Sequence, residues 1–174
     1  MRLFIAFELP GEMLDALAET SALLRGSVRG RFVAPGSLHV TLAFLGEVEP
    51  YRVDDAIDAL EEGCVGAGAF EAQLGELGSF GRRSSATLWQ GFRNAQPMGR
   101  IAASIREALA ARDFSFDAKP FRAHVTLMRA ADLRAGELPM PVLAGGTVSA
   151  VSLFKSDLSG PRPVYEPLHT VQLP

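Results

Sequence analysis

The sequence predicts an α+β protein with antiparallel sheets rather than a doubly wound parallel one. Two observations carry this expectation. Strand-like stretches recur in pairs with no helical pattern between them. And the tetrapeptide His-Val-Thr-Leu occurs twice, starting at His39 and His124, 85 positions apart in a chain of 174. Repetition at about half the chain length suggests two similar halves, each delivering one histidine to a shared site.

The elements follow in order. Leu3 to Leu9 is short, apolar and rich in Phe and Ile, and Pro10-Gly11 stops it, as expected of a buried strand. Leu14, Leu17, Leu24 and Val28 then mark one face of a helix opened by Pro10. Arg31 to Val33 is a short extended piece, and Leu38 to Leu45 is the first motif strand, ended by Gly46. A second helix after Pro50 carries Val53, Ala56, Ile57, Leu60 and Cys64 on one side. Phe70 to Leu77 and Thr87 to Phe92 read as an antiparallel pair around a Gly-, Ser- and Arg-rich loop from Gly78 to Ser85. Pro97 opens a third helix with Ile101, Ile105, Ala108 and Leu109 on its face. The stretch to Pro120 is irregular, and Phe121 to Met128 is the second motif strand. Thr147 to Ser156 alternates as one strand, and Val164 to Leu173 closes the chain as a strand interrupted by Pro167.

Composition narrows the function. Hydrophobic residues make up 48% and charged residues 21%, which fits a folded protein. The net charge of −3 argues against a protein that coats long nucleic acid, but not against one that binds a nucleotide or an RNA end. Cys64 is the one cysteine, so no internal disulfide forms, and a reducing, cytoplasmic setting is expected. Cys64 falls on the apolar face of its helix, which suits a small buried hydrophobe better than a nucleophile. No apolar run approaches the ~20 residues of a membrane span.

The chemistry lies in the repeat. Alternate residues of a strand share a face, so His39 and Thr41 point one way while Val40 and Leu42 anchor the other. His124 and Thr126 do the same against Val125 and Leu127. Two imidazoles titrating near pH ~6.5 can serve as an acid and a base together. The threonine hydroxyls can donate to phosphate oxygens. No carboxylate cluster accompanies either histidine, so no metal and no cofactor is expected. His169, outside any such context, is expected to be a surface histidine.

With both motifs in view, the chain resembles the 2H phosphoesterase superfamily. The runs Arg2-Leu-Phe-Ile-Ala6, Leu38 to Gly46, Lys119 to Leu127, Leu153 to Leu158 and Tyr165-Glu166 resemble the bacterial RNA 2′,3′-cyclic phosphodiesterases, also called 2′-5′ RNA ligases. The resemblance implies one bilobal domain over residues 1–174, of two intertwined, pseudo-twofold-related lobes with the motifs facing across a central cleft. It implies metal-independent hydrolysis of RNA 2′,3′-cyclic ends to 2′-phosphates, with 2′-5′ ligation as the reverse activity. It implies that His39 is the proton donor, His124 the proton acceptor, and that Thr41 and Thr126 hold the phosphate. The implied partners are RNA ends or nucleotides carrying a 2′,3′-cyclic phosphate, and a monomer is expected. Arg129 follows the second motif at +5 from His124, off the His124 face of a regular strand, so reaching a phosphate would take a bend or a long reach. Phe32 stands where many relatives carry tryptophan, and an aromatic there can stack on a base. Arg82, Arg83 and Arg122 are further candidates for the RNA backbone. The rival readings are another 2H activity, such as cleavage of 2′-5′ oligonucleotides, and a non-catalytic domain whose histidines hold phosphate or a metal.

Overall fold

Nine strands and three helices make up the chain, and the computed structural model describes all of residues 1–174. In order they are β1 (Arg2–Phe7), α1 (Gly11–Arg25), β2 (Arg29–Phe32), β3 (Val40–Glu47), α2 (Val53–Gly63), β4 (Phe70–Arg82), β5 (Ser85–Phe92), α3 (Gln96–Ala110), β6 (His124–Asp132), β7 (Gly145–Val148), β8 (Ala150–Asp157) and β9 (Val164–Gln172). They form a four-stranded sheet in the order β3-β1-β8-β9 and a five-stranded sheet in the order β2-β6-β5-β4-β7. Every pairing is antiparallel, as the sequence led us to expect.

The two sheets do not divide the chain at its middle. The four-stranded sheet takes β1 and β3 from the start and β8 and β9 from the end. The five-stranded sheet takes β2 from near the start and β4, β5, β6 and β7 from residues 70–148. Each sheet thus joins strands distant in sequence, and the internal repeat places the motif itself on opposite sheets: β3 carries the first copy and β6 the second. One cluster of 40 buried residues spans both sheets and all three helices. Helices α2 and α3 pack closely at Gly63, where a Cβ would come within 2.5 Å of the Ile105 Cα.

Three expectations are corrected. The stretch Gly78 to Ser85 is not a loop: β4 continues to Arg82, and only Arg83 and Ser84 make the hairpin turn. Phe80 pairs with Thr87 across this extension, so its small and polar residues form a partly exposed strand. Thr147 to Ser156 is not one strand but two. β7 pairs with β4 and β8 with β1, so the chain changes sheets at Ser149. Gly46 does not end β3, which runs through it at φ 67° to Glu47.

The decisive irregularity recurs in both motif strands. Thr41 pairs with Ala6 and Ala43 with Ile5, so Leu42 is an extra residue without a partner on β1. Thr126 pairs with Trp89 and Met128 with Leu88, so Leu127 is an extra residue opposite β5. Each is a β-bulge, which shifts the alternation of every residue after it. The burial patterns of residues 39–44 and 124–129 agree position by position: half-buried, buried, half-buried, buried, buried, exposed.

Arg106 of α3 holds this arrangement from behind. Its Nε donates to the Leu42 carbonyl at 2.8 Å, and one terminal nitrogen donates to the Lys119 carbonyl at 2.8 Å. One guanidinium thus joins the first bulge to the segment that leads into the second motif. Arg106→Met should lower stability by about 1–3 kcal/mol, because two carbonyls lose a charged donor. Urea unfolding would measure it, and a midpoint equal to wild type would show that the bridge adds nothing.

Candidate active site

Between the motif strands lies a cleft of about 720 Å³ whose lining includes His39, Thr41, His124, Thr126, Arg129 and Phe32. All six residues expected at a site from the sequence therefore face one space. Its 22 lining residues include Arg2, Arg25, Arg31, Arg129 and Arg162 but no Asp or Glu. A chain of net charge −3 thus presents a cleft whose fixed charges are all positive, which suits an anionic ligand.

Each histidine is fixed through the backbone two residues before it. The His124 Nδ1 lies 2.6 Å from the Arg122 carbonyl. With Nδ1–H donating there, Nε2 is left as an acceptor. At His39 the Ser37 backbone, again two residues upstream, favours the protonated ring. The surroundings then differ. His39, just ahead of β3, stacks on Phe4 with centroids 4.9 Å apart and meets the edge of Tyr165 at 5.3 Å. His124, inside β6, meets Phe80 edge-on at 5.2 Å and Trp89 at 5.8 Å, and the Arg122 guanidinium lies 4.8 Å from the Trp89 ring centroid.

These nests set the titration. Burial, chiefly, holds the His39 imidazole down to about 4, with the charges of Arg129 and His124 pushing the same way and the Ser37 hydrogen bond opposing. His124 is also lowered, first by burial and then by Arg122 and Arg129, against its bond to the Arg122 carbonyl. Both rings are therefore held toward the neutral form at pH 7.

Arg129 reaches the cleft because of the bulge. In a regular strand, position +5 would turn into the core. The extra Leu127 sends Met128 inward instead, leaving Arg129 on the cleft face. Ala130 at φ 51° and a second register shift follow immediately. Position +5 of the first motif is Phe44, which also lines the cleft, with the Arg2 guanidinium 4.7 Å from its ring centroid. Phe32 on β2 is half-buried at the cleft wall beneath Arg25, whose guanidinium lies 4.2 Å from its centroid.

Other candidates lie elsewhere. Arg82 sits at the exposed β4–β5 hairpin, and Arg83 donates to the Leu133 carbonyl at 2.8 Å; neither lines the cleft. Arg122 stays with Trp89 and His124. His169 is a half-buried surface residue whose Nε2 lies 2.5 Å from the Glu61 carboxylate. The Cys64 thiol is buried, and burial with nearby Glu61 pushes it up to about 11, so it stays protonated. Sequence reasoning missed Phe4, Tyr165, Arg2, Arg25 and Arg162 as lining residues. Phe4 and Tyr165 belong to runs quoted for the resemblance, but nothing local marks them as neighbours of His39.

The model of the 2′-5′ RNA ligase superfamily matches residues 14–158. The chain belongs to this superfamily. An Escherichia coli protein named RNA 2′,3′-cyclic phosphodiesterase is 34% identical over 170 residues, covering 96% of this chain and 93% of that one. A Geobacillus stearothermophilus protein of the same name is 31% identical over 128 residues; the match covers 72% of this chain and 41% of that longer protein. The crystal structure of E. coli LigT complexed with NADP+ superposes with a TM-score of 0.82 at 29% identity, covering 99% of this chain and 96% of that one. The complex with 3′-AMP gives 0.81 at 28%, covering 99% and 97%. The superfamily fold, with two antiparallel sheets and few helices, is thus shared along nearly the whole chain.

The lowered histidines predict a stability signature. An imidazole in the unfolded chain titrates near ~6.5, whereas His39 in the fold does so at about 4. Between these values the unfolded chain holds the proton and the fold does not. The stability due to this ring is therefore full above ~6.5 and is lost as pH falls toward 4. His39→Gln should lose less stability than wild type between pH 7.5 and 4.5 in urea unfolding. Equal losses would mean that His39 is not the group responsible.

Proposed function

We propose that the protein hydrolyses the 2′,3′-cyclic phosphodiester at RNA ends to a 2′-phosphomonoester, by acid–base catalysis between His124 and His39 and without a metal. The observation that carries this reading is the paired His-x-Thr face on opposite walls of a cleft whose only fixed charges are arginines. The relatives' shared name supports the activity. So do the ligands named for E. coli LigT, since NADP+ carries a phosphate on a ribose 2′ oxygen, the group this hydrolysis leaves.

The steps follow from the donors present. His124 Nε2 takes a proton from water, and the water oxygen bonds to phosphorus. The bond from phosphorus to the 3′ oxygen breaks. His39, in its protonated form, gives a proton to that departing oxygen and is left neutral. Thr41 and Thr126 donate to the non-bridging oxygens, and Arg129 offsets the charge that gathers on them. An RNA 5′-hydroxyl in place of water yields a 2′-5′ linkage by the same proton transfers. Phe32 offers a ring on which the terminal base can stack. No group of three or more His, Cys, Asp or Glu is gathered anywhere in the protein, so the donor set of the cleft is two imidazoles and hydroxyls.

His39→Ala and His124→Ala should each reduce kcat by about 10²–10⁴-fold, and Arg129→Gln by about 10²–10³-fold, on a 2′,3′-cyclic nucleotide. Turnover should persist in EDTA and yield the 2′-phosphate. Loss of activity on chelation would overturn the metal-free mechanism, and a 3′-phosphate product would overturn the assignment of the leaving oxygen.

A further inference from the structure

A cyclic mononucleotide brings one negative charge to a cleft that five arginines line. Among those five, Arg129 is the one whose charge acts on both histidine rings. It therefore belongs with the reacting phosphate, and the others lie farther along the cleft. Two of these rest on aromatic rings, Arg25 on Phe32 and Arg2 on Phe44, and Arg2 is the one whose ring stands at the motif position that matches Arg129. Its guanidinium rests on the Phe44 ring, 4.7 Å from the centroid. It forms no ion pair with any carboxylate, since the nearby Glu47 is paired with the Met1 amino group.

The internal repeat sharpens the point. Phe44 occupies in the first half the position that Arg129 occupies in the second, five residues after the histidine and two after the extra leucine. Each half thus presents a cation at the corresponding place: Arg129 by its own side chain, Arg2 by lying on Phe44. A guanidinium resting over an aromatic ring can still offer N–H groups for bidentate contact with phosphate. We propose that Arg2, oriented by Phe44, binds the phosphate on the 5′ oxygen of the reacting nucleotide, so that an RNA end is preferred to a free cyclic mononucleotide. This subsite rests on the cyclic phosphodiesterase reading above.

The test compares adenosine 2′,3′-cyclic phosphate with the same compound bearing a 5′-phosphate, in wild type, Arg2→Gln and Phe44→Leu, with thermal unfolding as a check on folding. In wild type the 5′-phosphate should raise kcat/KM about 10-fold or more, mainly through KM, as expected for a charged hydrogen bond. In Arg2→Gln the ratio of the two substrates should fall toward one, and the salt dependence of KM for the 5′-phosphorylated compound should weaken. Phe44→Leu, which keeps the cation but removes its support, should lower the ratio part of the way and carries the test if Arg2→Gln does not fold. A wild-type ratio near one, or a ratio unchanged in the variants, would overturn the subsite while leaving the phosphodiesterase reading intact. No turnover of either compound would overturn that reading and the subsite with it.

Discussion

Leu42 and Leu127 each occupy a place in their strands that the neighbouring strand does not match, and the site depends on that pair of bulges. A strand can offer a cleft only alternate residues. Without the bulge, His39, Thr41 and Ala43 would share the face, and so would His124, Thr126 and Met128. The extra leucine sends Ala43 and Met128 into the core and delivers Phe44 and Arg129 to the cleft. A bulge leaves local ladder groups unpaired, and in the first strand the Leu42 carbonyl is satisfied by Arg106 from behind the sheet. The irregularity is thus held in place by the packing of α3.

The frame is repeated, but its contents are not. Both rings are held by the backbone two residues upstream, and both lie among aromatic side chains. His39 sits outside the ladder, between Phe4 and Tyr165. His124 lies inside it, with Arg122 close by. At position +5 one half has a hydrophobic ring and the other a cation. A reaction that requires one acid and one base needs such a difference, and identical tetrapeptides cannot supply it. The difference comes from residues on β1, β4, β5 and β9, brought in by the sheet order rather than by the motif.

This explains what the sequence made legible. The antiparallel α+β class, the three helices and the pairing of two histidine motifs were all readable, because they depend on periodicity and on a repeat. The core-facing role of Val40, Leu42, Val125 and Leu127 was readable from alternation alone. The bulges were not, since a leucine that adds a residue to a strand looks like any other leucine. Arg129 therefore seemed to point the wrong way. The β4 extension through Gly78 and Ser79 was hidden because its residue types favour turns, and only pairing with β5 keeps it extended. Arg2 and Arg106 carried no signal, because one is an arginine beginning a strand and the other an arginine on the polar side of a helix.

The charge of the cleft and the neutrality of its histidines belong to one design. Arg129 draws an anion in and also opposes protonation of both rings. An anion bound at Arg129 cancels that opposition, because its negative charge lies beside the same imidazoles. In the proposed mechanism a bound phosphate therefore favours the charged form of the proton donor. Burial, the largest cause of the lowered His39 value, disfavours its charged form, so the protonated ring is a strong acid facing the leaving oxygen, while His124 accepts the proton of water. Binding and acid formation are coupled through Arg129, which the bulge at Leu127 brings to the cleft.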